Sequence, residues 1–220
     1  MTNKIYVYPG EKISVQYDVK RCIHATECAH GLPGVFDPNR KPRINPNEAS
    51  ADEVVQVVQR CPTGALHFMR HDGGSAEPVP DHNTIAVSTD GPLFLRGDLE
   101  VMGPDGSVLL KDTRITLCRC GASKNKPFCD GSHAKKGFQD TGVLGANAVK
   151  TVEADSQDRV LRISPSPDGP LALKGEAEVV SADGQTCYSG NRMYLCRCGA
   201  SSNKPFCDGT HAKIGFTSGE

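Results

Sequence analysis

Residues 118–133 read CRCGASKNKPFCDGSH, and nearly the same string returns at residues 196–211 as CRCGASSNKPFCDGTH. Each copy sets three cysteines and one histidine within sixteen residues: Cys118, Cys120, Cys129 and His133, then Cys196, Cys198, Cys207 and His211. In an extended segment, residues two apart point to the same side, so Cys118 and Cys120 can reach one metal ion. Residues four apart share a face of a helical turn, which lets Cys129 and His133 meet a second ion. A turn starting near Asp130 also aims backbone N–H groups at that point and favours negative charge there. The spacing suits a two-iron rhomb. Structural zinc is the competing reading, although its sites more often use C-x2-C or wider loops.

Outward from these motifs, residues 91–138 match residues 169–216 without a gap, so the chain contains a duplicated unit. Gly91-Pro92-Leu93 answers Gly169-Pro170-Leu171, Gly97 answers Gly175, and Glu100-Val101 answers Glu178-Val179. In the first copy, Ile85–Ser88, Leu93–Leu95, Leu99–Met102 and Ile115–Leu117 predict short antiparallel strands. Asp105-Gly106 and Asp183-Gly184 mark the hairpin turns. Residues 142–158 are small, polar and aperiodic; they read as a connector, or alternatively as part of the second copy's first strand.

Residues 1–70 do not match the repeats, and 71–83 (HDGGSAEPVPDHN) have the composition of a linker. The predicted order is an N-terminal domain at 1–70, the linker, a first repeat at 84–141, the connector, and a second repeat at 159–220. Within the first domain, Ile13, Val15 and Tyr17 alternate as a strand. Residues 51–60 place Val54, Val55 and Val58 on one helical face, with Ser50 and Glu53 as a capping box. The helix is expected to stop near Cys61, because Pro62 follows. Cys22 and Cys28 stand six apart, and with Cys61-Pro62 they form a ferredoxin arrangement whose middle position holds Ala25. Three thiolates most simply hold a 3Fe-4S cluster. The alternatives are 4Fe-4S, with His24 or an exogenous ligand at the fourth corner, and an empty structural site.

Composition sets the frame for these sites. Aromatic residues are 5% of the 220, Trp is absent, and there are 23 glycines and 15 prolines, so apolar material for one large core is scarce. Small domains of this kind need a staple, and ten cysteines are available. The opening MTNKIYVYPGEK has no apolar run, and no stretch is long enough to span a membrane, so a soluble, cytoplasmic protein is expected. In that compartment, C-x-C cysteines hold metal rather than pair. A net charge of −1 argues against a nucleic-acid footprint.

Residues Cys129-Asp130-Gly131-Ser132-His133 and Cys207-Asp208-Gly209-Thr210-His211 resemble the CDGSH iron-sulfur family, over roughly 84–140 and 160–218. The resemblance implies a redox-active 2Fe-2S cluster per motif, held by three Cys and one His beneath a small β-cap. Its NEET members work as two-fold dimers, so two motifs in one chain imply a monomer with an internal pseudo-dimer. The stretch from Ile13 to Leu66 resembles divergent mono-cluster ferredoxin domains, through Cys22-Ile-His-Ala-Thr-Glu-Cys28, Gly34-Val-Phe-Asp37 and Cys61-Pro-Thr-Gly-Ala-Leu66. The fold expected overall is α+β, a small ferredoxin-like domain followed by two β-rich CDGSH domains forming a pseudo-two-fold unit.

A neutral imidazole in place of a thiolate removes one negative charge from a cluster, raises its reduction potential and adds an acid-sensitive bond. Cys187, outside every motif, reads as a small buried apolar residue. Lys124, Lys126, Lys135 and Lys136 surround the first motif and suit either a solvated face or a dock for an acidic redox partner. His30, His67, His71 and His82 have no ligand spacing. The sequence contains no dinucleotide fingerprint and no nucleophile-base signature, so no enzyme activity is expected. The expected function is an electron carrier or redox relay with two 2Fe-2S clusters and one 3Fe-4S or 4Fe-4S cluster, serving a separate redox partner, with no nucleic acid and no membrane. Its rivals are a cluster donor or redox and pH sensor, and a zinc-stabilised interaction module.

Overall fold

The computed structural model describes residues 4–145, 159–185 and 187–219. The chain divides into two compact units, the first ending at Pro78 and the second beginning at Val79. Within the segment 71–83, His71 and Glu77 are tied to the first unit. The His71 N–H donates to the Lys12 carbonyl at 2.8 Å, and Glu77 meets His67 at 3.1 Å. The connector positions 146–158 lie outside the described residues.

In the first unit, β1 (Ile5–Tyr8), β2 (Ile13–Asp18) and β3 (Leu66–Arg70) form an antiparallel sheet with β2 at its centre. Ile13 and Val15 are buried against the helix α2 (Ala51–Val58), whose Val54, Val57 and Val58 are also buried. Val55 is only half-buried, so the apolar face centres one residue away from the predicted one. The capping box is present: the Ser50 hydroxyl accepts from the Glu53 N–H at 3.3 Å, and the Glu53 carboxylate accepts from the Ser50 N–H at 2.9 Å. After Val58 the chain tightens into a turn, the Cys61 N–H donating to the Val58 carbonyl at 3.0 Å, which fixes where Cys61 emerges. A short helix α1 (Glu27–Gly31) carries Cys28.

The second unit is a single six-stranded sheet shared by both repeats. The first repeat supplies β4 (Thr84–Val87), β5 (Leu93–Met102) and β6 (Val108–Leu117); the second supplies β7 (Leu161–Pro165), β8 (Leu171–Val180) and β9 (Cys187–Leu195). Within each repeat the pairing is antiparallel, as predicted. Between repeats it is parallel: β4 lies beside β8 with Thr84 opposite Glu178, and β7 lies beside β5 with Arg162 opposite Glu100. These two registers are related by the internal repeat, so the unit has a pseudo-two-fold arrangement in which each half lends its first strand to the other. β4, β5, β7 and β8 thereby close a ring of pairings around one core. Ile85, Leu95, Leu99, Leu117, Leu161, Ile163, Val179 and Leu195 are completely enclosed there.

Two predicted short strands, Leu93–Leu95 and Leu99–Met102, are one strand with a register shift between Arg96 and Leu99. Gly97, at φ +150°, marks a bulge rather than a break. A Cβ there would stand 2.0 Å from Asn83 Oδ1, which accepts the Asp98 N–H at 2.9 Å. Asn83 also donates to the carbonyls of Arg159 and Glu176, both at 2.8 Å, and so pins the two repeats together.

Candidate metal centres

Each motif begins where a hairpin strand ends. The loop after β6 folds back so that the Cys118 N–H donates to the Pro127 carbonyl at 2.9 Å and the Cys129 N–H donates to the Thr116 carbonyl at 3.0 Å. That return brings Cys129 beside Cys118 and Cys120. Cys118 and Cys120 hold their sulfurs 3.7 Å apart, and Cys129 Sγ lies 3.4 Å from His133 Nδ1. Two thiolates bound tetrahedrally to one ion at about 2.3 Å stand about 3.7 Å apart, so the donors come as two ready pairs. Among the described residues no three such side chains close on a single point. Backbone N–H groups of Ala122 and Gly131 point at Cys120 and Cys129, each at 3.4 Å, and favour the thiolate forms.

The Asp130 carboxylate organises the turn into α3 (Ser132–Lys136), accepting the N–H groups of Ser132 at 3.0 Å and Lys124 at 2.8 Å. His133 sits on that helix. The hydrogen bond from the neighbouring Cys120 lowers the pKa of the Cys118 thiol, while Cys120 in turn is held protonated by its bond to Cys118. Burial pushes Cys129 up to about 11. Burial also holds His133 below the usual histidine value, outweighing the Asp130 carboxylate, so its imidazole is neutral and able to ligate at neutral pH.

In the second copy the cysteines are built the same way. Cys196 and Cys198 are 3.7 Å apart, the Cys196 N–H donates to the Pro205 carbonyl at 2.7 Å, and the Cys207 N–H donates to the Tyr194 carbonyl at 2.9 Å. His211, on α4 (Thr210–Lys213), differs from its twin: its Nδ1 meets the Asp168 carbonyl oxygen at 3.0 Å.

Two features of these centres escaped the sequence reading. Arg119, between Cys118 and Cys120, has a fully buried side chain that donates to the Gly91 carbonyl at 2.7 Å and the Ser88 carbonyl at 2.5 Å. It also pairs with Asp140 and lies over the Phe138 ring. Arg197 repeats the bonds, to the carbonyls of Gly169 at 2.9 Å and Ser166 at 2.5 Å. An arginine repeated between two cysteines was the available signal. The second feature is that the two centres touch. A Cβ on Gly121 would meet the Cys198 carbonyl oxygen at 2.7 Å, and one on Gly199 would meet the Cys120 carbonyl oxygen at 2.8 Å. Both glycines have positive φ, so the close approach and the turn each require glycine.

In the first unit, Cys22, Cys28 and Cys61 line one cavity of about 200 Å³, walled also by Tyr17, Phe36, Ile44 and Leu66. His24 and Ala25 sit on its exposed rim, and His24 and Thr26 flank Ala25 with left-handed backbone at φ 58° and 62°. Burial, then the nearby Cys61, raises the Cys28 thiol; burial and the hydrogen bond to Cys22 raise the Tyr17 phenol. The donor set of soft thiols in an apolar cavity fits an iron-sulfur cluster.

Cys187 is exposed, contrary to the buried role expected of it, because it starts the edge strand β9 beside the hairpin turn. Desolvation and the Glu178 carboxylate push its thiol pKa up. His67 pairs with Glu77 and His71 with Ser14, so neither turns towards a cysteine. No described helix is long and apolar enough to cross a membrane.

Comparison with known proteins agrees with this geometry. Residues 8–71 match the family described as divergent 4Fe-4S mono-cluster, and residues 90–134 and 168–212 each match the iron-binding zinc finger CDGSH type. Uncharacterized protein YjdI of Escherichia coli strain K12, and its namesake in strain O157:H7, are each 42% identical over 64 residues. Those residues are 29% of this chain and 83% of theirs. No solved structure matches. The donor sets and these matches define an iron-sulfur-binding protein. The chain carries a divergent 4Fe-4S mono-cluster domain followed by two tandem iron-binding CDGSH-type domains.

Proposed function

We propose that the chain is an electron carrier with three clusters. Cys118, Cys120, Cys129 and His133 hold one 2Fe-2S cluster, and Cys196, Cys198, Cys207 and His211 hold the other. Cys22, Cys28 and Cys61 hold a 3Fe-4S cluster, in a unit of ferredoxin-like α+β character; the alternative is 4Fe-4S with His24 or an exogenous group at the rim. When bound, such clusters supply one-electron exchange at potentials tuned by their ligands and hydrogen bonds. The protein residues supply the rest: paired donors, N–H groups directed at sulfur, and a buried guanidinium behind each C-x-C pair that offsets negative charge. It acts without a catalytic site of its own, as a cytoplasmic monomer that exchanges electrons with a separate redox protein.

The observation that carries this reading is the contact of Gly121 with Cys198 and of Gly199 with Cys120, which sets the two donor sets back to back. Anaerobic purification with iron and sulfide counting and EPR tests it. Seven irons per chain support two 2Fe-2S clusters with 3Fe-4S, and eight support 4Fe-4S. Colourless protein with stoichiometric zinc overturns it. A cluster-donor role is the second reading, favoured by the incomplete burial of His133 and His211 at the surface end of each donor set. Rapid transfer of 2Fe-2S units to an apo-ferredoxin, with slow electron exchange with reductases, decides for that role.

A further inference from the structure

Between residues 118–138 and 196–216 the two copies differ at only three of twenty-one positions: Lys124 against Ser202, Ser132 against Thr210, and Lys136 against Ile214. Every donor, both arginines and all the turn glycines are kept. Two of the three changes remove a lysine, and Lys124, Lys136, Ser202 and Ile214 are all exposed. Within these stretches every change of charge thus lies on the exposed rim. The first rim presents the exposed lysines Lys124, Lys135 and Lys136, the last donating its Nζ to the Cys120 carbonyl at 2.8 Å without losing its charge, whereas the second presents Lys213 beside a half-exposed isoleucine. The one carboxylate within the first motif, Asp130, is engaged with backbone N–H groups, and Asp140 just beyond it is engaged with Arg119 and Lys204. Neither neutralises the lysines.

We infer that the first copy is the docking port for an acidic redox protein and that the second copy is not. The inference rests on the carrier reading for its purpose, but its evidence is the rim alone. Three lysines around one donor set steer and orient a carboxylate-rich face, with a strong dependence on salt, because exposed charges farther apart than about 10 Å at 0.1 M are screened.

A reciprocal exchange of rims tests it with the full chain. K124S/K136I gives the first copy the residues of its twin, which folds with them, and S202K/I214K does the converse. With an acidic flavodoxin as probe at low ionic strength, wild type binds with an affinity that falls steeply as salt is added. K124S/K136I is expected to weaken binding roughly tenfold. Adding S202K/I214K to that variant restores it. Carbodiimide cross-links, mapped by mass spectrometry, then move from Lys124 and Lys135 to the second copy. Absence of binding, equal affinity of wild type and K124S/K136I, or cross-links centred on Lys213 in wild type overturns the inference. Iron and sulfide counts on the same samples report separately on the carrier reading: loss there with rim-dependent binding intact removes the clusters and leaves the port.

Discussion

Gly121 and Gly131 both have positive φ, yet a Cβ on Gly121 meets the Cys198 carbonyl while one on Gly131 meets nothing within 4 Å. Each Ala substitution pays about 1–2 kcal/mol for left-handed backbone. Only Gly121→Ala also drives two loops apart. Its thermal midpoint is therefore expected to fall clearly below that of Gly131→Ala; equal midpoints would show that the contact carries no energy. At His133 the folded pKa lies below the ordinary value, so protonation favours the unfolded, unligated form. Stability then falls as pH drops through the ordinary histidine range. Acidification is expected to bleach the visible absorption, and His133→Cys to slow the loss at one of the two CDGSH centres. Equal decay in variant and parent counts against histidine ligation. At this scale the approach of Cys118 to Cys120 and of Cys129 to His133 was legible from spacing. Arg119 was not, since its recurrence as Arg197 marks the position without saying that the side chain turns inward to bind carbonyls.

Among the elements, α2 owes its start to the Ser50–Glu53 capping box, which sits on exposed residues and affects no packing. Ser50→Ala is expected to cost about 1 kcal/mol of the first unit's stability. Urea unfolding followed by helical circular dichroism measures it, and an unchanged midpoint would show that packing alone holds the helix. The box, the strand at Ile13–Tyr17 and the hairpin turns were readable because caps and alternation are local signals. β5 was read as two strands because a glycine breaks alternation equally at a bulge and at a turn. What separates the two cases is Asn83, fourteen residues before that glycine and in no recognisable motif.

For the whole molecule, the resemblance of the two motifs to a family with two-fold dimers implied a pseudo-two-fold unit, but the parallel pairing of β4 with β8 and of β7 with β5 left no trace in either strand. Period-2 alternation fixes which face is buried, not which neighbour lies alongside. Asn83 is the side chain that registers this exchange, through three hydrogen bonds spanning both repeats. Asn83→Ala strands buried carbonyls and an N–H group and is expected to destabilise the second unit by about 3 kcal/mol. A urea midpoint within error of the parent would assign the joining of the halves to the apolar core alone.

The lent strands also set a timetable. Thr84 waits for Glu178 to be synthesised, and at roughly 5–20 residues per second that wait lasts on the order of 5–20 s. In the later part of that interval the first hairpin has been made with its ring still open, and Cys118, Cys120 and Cys129 are in the chain before Gly199, which backs Cys120, is made. The first centre thus has all its own donors long before it has its walls, and both centres reach their finished form together, once the second copy has been made.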